Sequence, residues 1–374
     1  MTSLKVLSVF GTRPEAIKLA PVIRRLRATS GIDAPICVTA QHRHMLDQVL
    51  HLFDLVPEHD LGLMQENQTL AGLTAAAVEG LDPVLQTESP DWVLVQGDTT
   101  TVMAASLVAF YHRIPVGHVE AGLRTDDKYQ PFPEEINRRV TSVVADLHFA
   151  PTAHARDNLL REGVPDSCIR VTGNSVIDAL QLAAAMPFDW ARSSLAGLPE
   201  AARLVLVTAH RRENFGAPLE RICGALRALA ARFSPEVHFV YPVHLNPNVD
   251  EPVRAMLGQT PGITLLPPLD YLPMVNLLKR SDLVLTDSGG VQEEAPGLGK
   301  PVLVMREVTE RPEGVAAGTV RLVGTDQAAI EREVARLLTD NEAYSAMAHA
   351  ANPYGDGHAA ERIVEALLGA SGAR

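Results

Sequence analysis

Short apolar, β-branched runs alternate along the chain with longer stretches of helical period. Leu4–Phe10 is such a run, followed by Gly11-Thr12-Arg13-Pro14-Glu15 and a helical pattern over 16–28. Further strands are predicted at 34–39, 91–96, 115–119, 148–150 and 169–172, with helices at 45–53, 70–85, 102–111 and 153–162. The pattern breaks over 186–202, where Pro187, Gly197 and Pro199 lie among small and polar residues; this predicts a stretch near an inter-domain connection. A second series follows, with strands at 204–208, 237–241, Ile263–Leu266, Leu283–Thr286, 301–305 and 319–323. Helices are predicted at 219–233, 328–338 and 356–368. Regular strand–helix alternation implies α/β halves, each a parallel sheet with helices on both faces.

Polar residues then stand out by their address, because many fall just past predicted strands. Residues 117–139 read GHVEAGLRTDDKYQPFPEEINRR: a strand end, Glu120, a polar loop, and a helix start carrying Glu134 with Pro just ahead of it. Arg13 follows the first strand, with Lys18 one helical turn on. Asp98 lies in Gly-Asp-Thr-Thr-Thr, where a helix N-cap is the plainer alternative. His210 and His244 each follow a strand of the second series. Asp287-Ser288-Gly289-Gly290 leads from a strand into a helix, which makes either a diphosphate seat or a tight turn needing glycine for geometry alone. Glu293 and Glu294, one turn later, are placed to accept from ribose hydroxyls or to sit exposed in a first helical turn. In open α/β sheets ligands bind at the carboxyl ends of strands, so the shared address favours a site over coincidence.

Composition narrows the class. At 374 residues the prior is two to three domains, and 46% hydrophobic content supplies a core. A formal net charge of −12 argues against nucleic acid as a partner but leaves room for a local basic pocket. Cys37, Cys168 and Cys223 form no CxxC pair, which suits a reducing compartment. MTSLKVLSVF reads as a buried strand, and no apolar run approaches a membrane span; a soluble cytoplasmic protein is expected. GxGxxG, a P-loop and HExxH are all missing, so neither nicotinamide nor a metal is expected.

Gly-Thr-Arg-Pro-Glu-Ala, Gln-Gly-Asp-Thr-Thr-Thr, His-Val-Glu-Ala-Gly-Leu-Arg-Thr, Pro-Glu-Glu-Ile-Asn-Arg, Ala-His-Arg-Arg-Glu-Asn and Asp-Ser-Gly-Gly-Val-Gln-Glu-Glu-Ala occur in this order. Together they closely resemble the non-hydrolysing UDP-N-acetylglucosamine 2-epimerases of bacteria. The resemblance implies two Rossmann-like domains of the glycosyltransferase-B type with the active site in the inter-domain cleft. It assigns 1–174 plus the C-terminal helix 357–374 to one domain and 175–356 to a UDP-binding domain. It implies a homodimer, no cofactor, and interconversion of UDP-N-acetylglucosamine and UDP-N-acetylmannosamine through 2-acetamidoglucal and UDP.

By the same resemblance Asp98, Glu120 and Glu134 are the catalytic carboxylates and His210 assists the departing diphosphate. Asp98 and Glu134 would trade the proton, with Glu120 positioning or stabilising charge. Arg13, Lys18, Arg138, His244, Ser288, Gly289, Gly290 and Glu294 carry over as UDP contacts. A second, allosteric substrate site in some members maps to Gln41, His44 and Arg211. His44 departs from the glutamine of that pattern, Asn67 from an arginine, and Met274 stands where relatives carry an aromatic over the uracil. A glycosyltransferase of the same fold, a hydrolysing epimerase and a UDP-sugar sensor are the competing readings.

Overall fold

The computed structural model of the chain describes residues 3–39, 43–63, 68–200 and 202–372, with only the backbone of residues 43 and 44. The chain divides into two compact units, residues 1–179 with 354–374, and residues 180–353.

The first unit carries strands β1 (Leu4–Phe10), β2 (Ile32–Asp33), β3 (Ile36–Val38), β4 (His59–Asp60), β5 (Trp92–Gln96), β6 (Val116–Val119), β7 (Leu147–Ala150) and β8 (Ile169–Val171). They form a sheet in the order β4-β3-β1-β5-β6-β7-β8, with β2 beside β1. Every pairing is parallel. β1, β3 and β5 through β7 are almost wholly buried, as strands covered on both faces must be. From β1 the order runs outward through β3 and β4, then resumes on the other side at β5. The carboxyl ends of β1 and β5 therefore flank a topological switch point, the usual ligand crevice of such sheets.

The second unit carries β9 (Arg203–Thr208), β10 (Val237–Pro242), β11 (Ile263–Leu266), β12 (Leu283–Thr286), β13 (Val302–Val304) and β14 (Val320–Leu322). Their order is β11-β10-β9-β12-β13-β14, again all parallel. Alternate residues feed two cores: Val205, Val207, Leu283 and Leu285 pack in one, Leu204, Leu206 and Val284 in the other. The switch point here lies between β9 and β12.

Residues 186–202, expected near a connection, lie inside the second unit. Leu195 is buried in its core, and Phe188 packs edge-on against Trp190. Isolated apolar anchors at irregular spacing do this without any period for a pattern to reveal. Helices Ser175–Ala184, Pro247–Leu257 and Tyr271–Arg280 also join the predicted set. Among the described residues no helix is long and apolar enough to cross a membrane.

Candidate active site

In the first unit the loops after β1, β5 and β6 carry the expected carboxylates and cations. Thr12 caps helix Arg13–Ala28 in a capping box with Glu15. Glu15 is buried, accepts from the amides of Gly11 (2.9 Å) and Thr12 (2.6 Å), and takes the Thr99 hydroxyl at 2.5 Å. It thus ties the β1 loop to the β5 loop. Arg13 is the first residue of that helix and Lys18 lies on it.

Lys18 Nζ donates to both oxygens of Glu120, at 2.6 and 2.7 Å. Gln96 donates to the same carboxylate at 2.5 Å and Asn174 at 2.9 Å. Glu120 is 9% exposed and has a φ of 65°, a left-handed backbone that a non-glycine residue adopts only where its surroundings enforce it. The turn continues through Gly122, with φ of 90°, where an added Cβ would stand 2.2 Å from the Ala155 carbonyl oxygen. Asn158 holds the Gly122 carbonyl at 2.8 Å. Glycine is required there by close approach as well as by φ.

Asp98 follows β5. Arg138 donates to its carboxylate at 2.5 Å, and Asn137 donates to its carbonyl at 3.0 Å. Burial raises the Asp98 pKa above its ordinary value; Arg138 and Lys18 oppose this, while Glu120 and Glu134 add to it. Asp98 thus feels two other carboxylates and two cations. Glu134 opens helix Glu134–Val144, beside Glu135. Glu135 is fully buried and accepts from Thr125 N–H (3.2 Å) and Arg139 (3.0 Å). Arg124 grips Glu162 with two bonds, at 2.8 and 2.6 Å, and serves the loop.

In the second unit Asp287 directly follows β12 and is fully buried. One of its oxygens accepts from the amides of His210 and Arg211, both at 2.8 Å, and from Asn214 at 2.9 Å. The other lies 3.5 Å from His210 Nδ1. Asp287 thus fastens the β9 loop onto the β12 loop. Burial lowers the His210 pKa, with Asp287 opposing and His244 and Arg211 adding to the shift. His244 stacks on His210, ring centroids 5.5 Å apart and planes 16° apart. Asn246 N–H donates to His244 Nδ1 at 3.1 Å, which puts the ring proton on Nε2.

Ser288 precedes helix Gly289–Gly297. No atom lies within 4 Å of where a Cβ on Gly290 would stand, and the Arg211 guanidinium lies 3.5 Å from that point on Gly289. A helix N-terminus, an arginine and a stacked histidine share this end of the sheet, an arrangement suited to a diphosphate. Glu294 is half-buried one turn on, while Glu293 is buried and paired with Arg311. Gln41 lies outside the described residues, as do Asn67 and the side chain of His44. Among the described residues no cluster of His, Cys, Asp and Glu could hold a metal ion.

Sequence reasoning did not single out Gln96, Asn174, Glu15 and Asn137. The first and last two stand inside quoted motifs, but nothing local says which carboxylate or carbonyl each one meets.

Two Rossmann-like units of the glycosyltransferase-B type, one with clustered acids and one with a Ser-Gly-Gly helix start, set the class. The glycotransferase of kitacinnamycin shares this fold at 13% identity, covering 98% of this chain and 99% of its own, with a TM-score of 0.66. The family model described as UDP-N-acetylglucosamine 2-epimerase matches residues 24–368, and the chain belongs to that family. It is 57% identical to a UDP-N-acetylglucosamine 2-epimerase of Escherichia coli strain K12, over 97% of this chain and 98% of the relative. A Neisseria meningitidis UDP-GlcNAc 2-epimerase, solved bound to UDP-GlcNAc, is 49% identical with a TM-score of 0.88, covering 98% of this chain and 100% of that one.

Proposed function

We propose that the protein epimerises UDP-N-acetylglucosamine at carbon-2, reversibly, without hydrolysis. The observation that carries this is the grouping of Asp98 in the loop after β5, gripped by Arg138 at 2.5 Å, Glu120 in the loop after β6, held by Lys18 at 2.6 Å, and Glu134 at the start of the helix that carries Arg138. The carbon-2 proton is not beside a carbonyl, so no side chain removes it directly. Breaking the anomeric carbon–oxygen bond solves this. UDP leaves with the bonding pair, oxocarbenium character grows at carbon-1, and the carbon-2 proton becomes acidic. Its transfer to a carboxylate leaves a carbon-1 to carbon-2 double bond, 2-acetamidoglucal. A proton delivered to the opposite face of carbon-2, with UDP returning to carbon-1, yields UDP-N-acetylmannosamine.

Asp98 and Glu134 trade the proton in this reading. Glu120 is engaged by Lys18, Gln96 and Asn174, which fits charge stabilisation better than proton transfer. The second unit takes the UDP: Ser288, Gly289 and Gly290 hold the diphosphate, Glu294 the ribose, and His210 with His244 assist the leaving phosphate. Arg211 joins the diphosphate group on the strength of its place over Gly289. Arg13, Lys18 and Arg138 are the phosphate contacts that the first unit supplies in this reading. The working assembly is a homodimer, which sedimentation equilibrium checks.

Incubation with UDP-N-acetylglucosamine in deuterated water tests the reaction. An epimerase places deuterium at carbon-2 and yields UDP-N-acetylmannosamine. A glycosyltransferase or a sensor incorporates none, and a hydrolysing epimerase releases free N-acetylmannosamine. Asp98→Asn and Glu134→Gln are each expected to lower turnover by about 10²–10⁴-fold, while calorimetric UDP binding stays near that of the parent.

A further inference from the structure

Gly97, Asp98 and Thr99 are each held by a side chain from a different part of the first unit. Asn137 donates to the Asp98 carbonyl at 3.0 Å, and the Thr99 hydroxyl donates to Glu15 at 2.5 Å. The third tie is His118. Its Nε2 lies 2.7 Å from the Gly97 carbonyl oxygen, so this nitrogen carries the ring proton and donates it there. His118 is fully buried on β6, two residues before Glu120. Its Nδ1 finds no partner among the described residues. Burial pushes the ring pKa down to about 3, against the pull of the Gly97 bond, so the ring is neutral and its tautomer set.

An apolar side chain of similar size would fill this space without leaving a buried nitrogen unpaired, which is unfavourable. Packing therefore gives no reason for a histidine on β6; the bond to Gly97 does. Gly97 is a turn residue with φ of 83°, and its own amide donates to the Val119 carbonyl at 3.0 Å. With His118 on the carbonyl and β6 on the amide, both peptide groups flanking Gly97 are fixed. Gly97 has no Cβ of its own to resist rotation of the Gly97–Asp98 peptide, and that rotation would strain the Asn137 and Arg138 bonds that aim the Asp98 carboxylate.

We propose that His118 is a positioning residue for the epimerase reaction, holding the Gly97 carbonyl so that Asp98 stays in register with carbon-2 of the sugar. The proposal rests on reading Asp98 as a proton-transferring carboxylate. His118 itself touches no reacting atom.

Full-length His118→Gln, His118→Asn, His118→Leu and Asp98→Asn are compared with the parent for kcat, KM, deuterium entry at carbon-2 and thermal melting. A glutamine amide reaches about as far as the ring Nε2 and can donate to Gly97; an asparagine amide falls one methylene short. His118→Asn and His118→Leu are expected to lower kcat by about 10²-fold, the scale of a misplacement near 1 Å, with KM little changed. His118→Gln is expected to recover most of that loss. The role of His118 is overturned if His118→Gln is folded yet as slow as His118→Asn, or if folded His118→Asn turns over like the parent. Should the leucine and asparagine variants not fold, His118→Gln decides alone: parent-like turnover supports the proposal, and a folded but slow protein sinks it. If Asp98→Asn keeps full turnover, the reading of Asp98 fails and takes the proposal with it. A dead Asp98→Asn beside a fully active, folded His118→Asn removes only the role of His118.

Discussion

Gly122 and Gly290 both lack a side chain for a reason, and the reasons differ. At Gly122 the protein itself occupies the space, 2.2 Å from a would-be Cβ. At Gly290 the space is empty and the φ is ordinary, so the fold does not require glycine there. Gly290→Ala should therefore melt slightly higher, by roughly 0.5–1 kcal/mol of helix propensity. Its KM for the UDP-sugar should rise about tenfold or more, the effect of a methyl group worth ~1.4 kcal/mol against the diphosphate. Differential calorimetry beside steady-state kinetics reads both. Asp98 permits a pH prediction. Burial raises its pKa and Arg138 is the largest opposing influence, so removing Arg138 must raise it further. Arg138→Met should move the acid limb of kcat/KM to higher pH, because more base is needed to ionise Asp98. A limb that stays in place or moves down would rule out Asp98 as the group that titrates there.

At the scale of elements, the loops after β9 and β12 are joined by Asp287, and a second network braces the loop after β13. Arg306 is 4% exposed and bonds Glu213 at 2.5 Å and Glu310 at 2.6 and 3.0 Å. Burial pushes the Glu310 pKa up, but the bonds from Arg306 outweigh it and bring it from 4.5 to about 2. A depressed carboxylate adds stability above its unfolded pKa and loses it as pH falls through the folded one. Glu310→Gln should thus be less stable than the parent at pH 7, by about 1–3 kcal/mol. The gap should close as pH falls from 4.5 towards 2, and denaturant melts at stepped pH check it. The principal strands were legible as continuous apolar runs because both faces of each sheet are covered. β2 and β4, two residues each, are too short to show a period. Helix Pro247–Leu257 was hidden by its prolines, which read as breakers: Pro247 is tolerated in the first turn, and Pro252 is carried inside by tertiary packing.

For the whole molecule, the chain leaves the first unit after Ala179 and returns to it at Tyr354. The return is fastened by Asn174 N–H to the Tyr354 carbonyl (2.6 Å) and by Asp178, which accepts from the amides of Ala359 (3.2 Å) and Ala360 (2.9 Å). Asp178 thereby caps helix Ala359–Gly372, a favourable place for a carboxylate. That helix buries Ile363, Val364 and Leu367. Each such side chain contributes about 1.5–3 kcal/mol, so their sum rivals the roughly 5–15 kcal/mol that holds a domain folded. Deleting residues 358–374 should therefore unfold the first unit. Hydrogen exchange would show β1, β5 and β6 losing protection while β9 and β12 keep theirs.

The sequence by itself determined the period of each element, the caps and glycines at their ends, and the residue types waiting past each strand. All of these are local, encoded within a few residues by sterics and hydrophobic alternation. Partnership was decided only by tertiary structure. Lys18 reaches Glu120 across 102 residues and Arg138 reaches Asp98 across 40. In the fold both cations lie on carboxylates. Which strand ends become neighbours depends on the order of strands in the sheet, and that order follows from packing two apolar faces at once. No stretch of sequence carries that information alone.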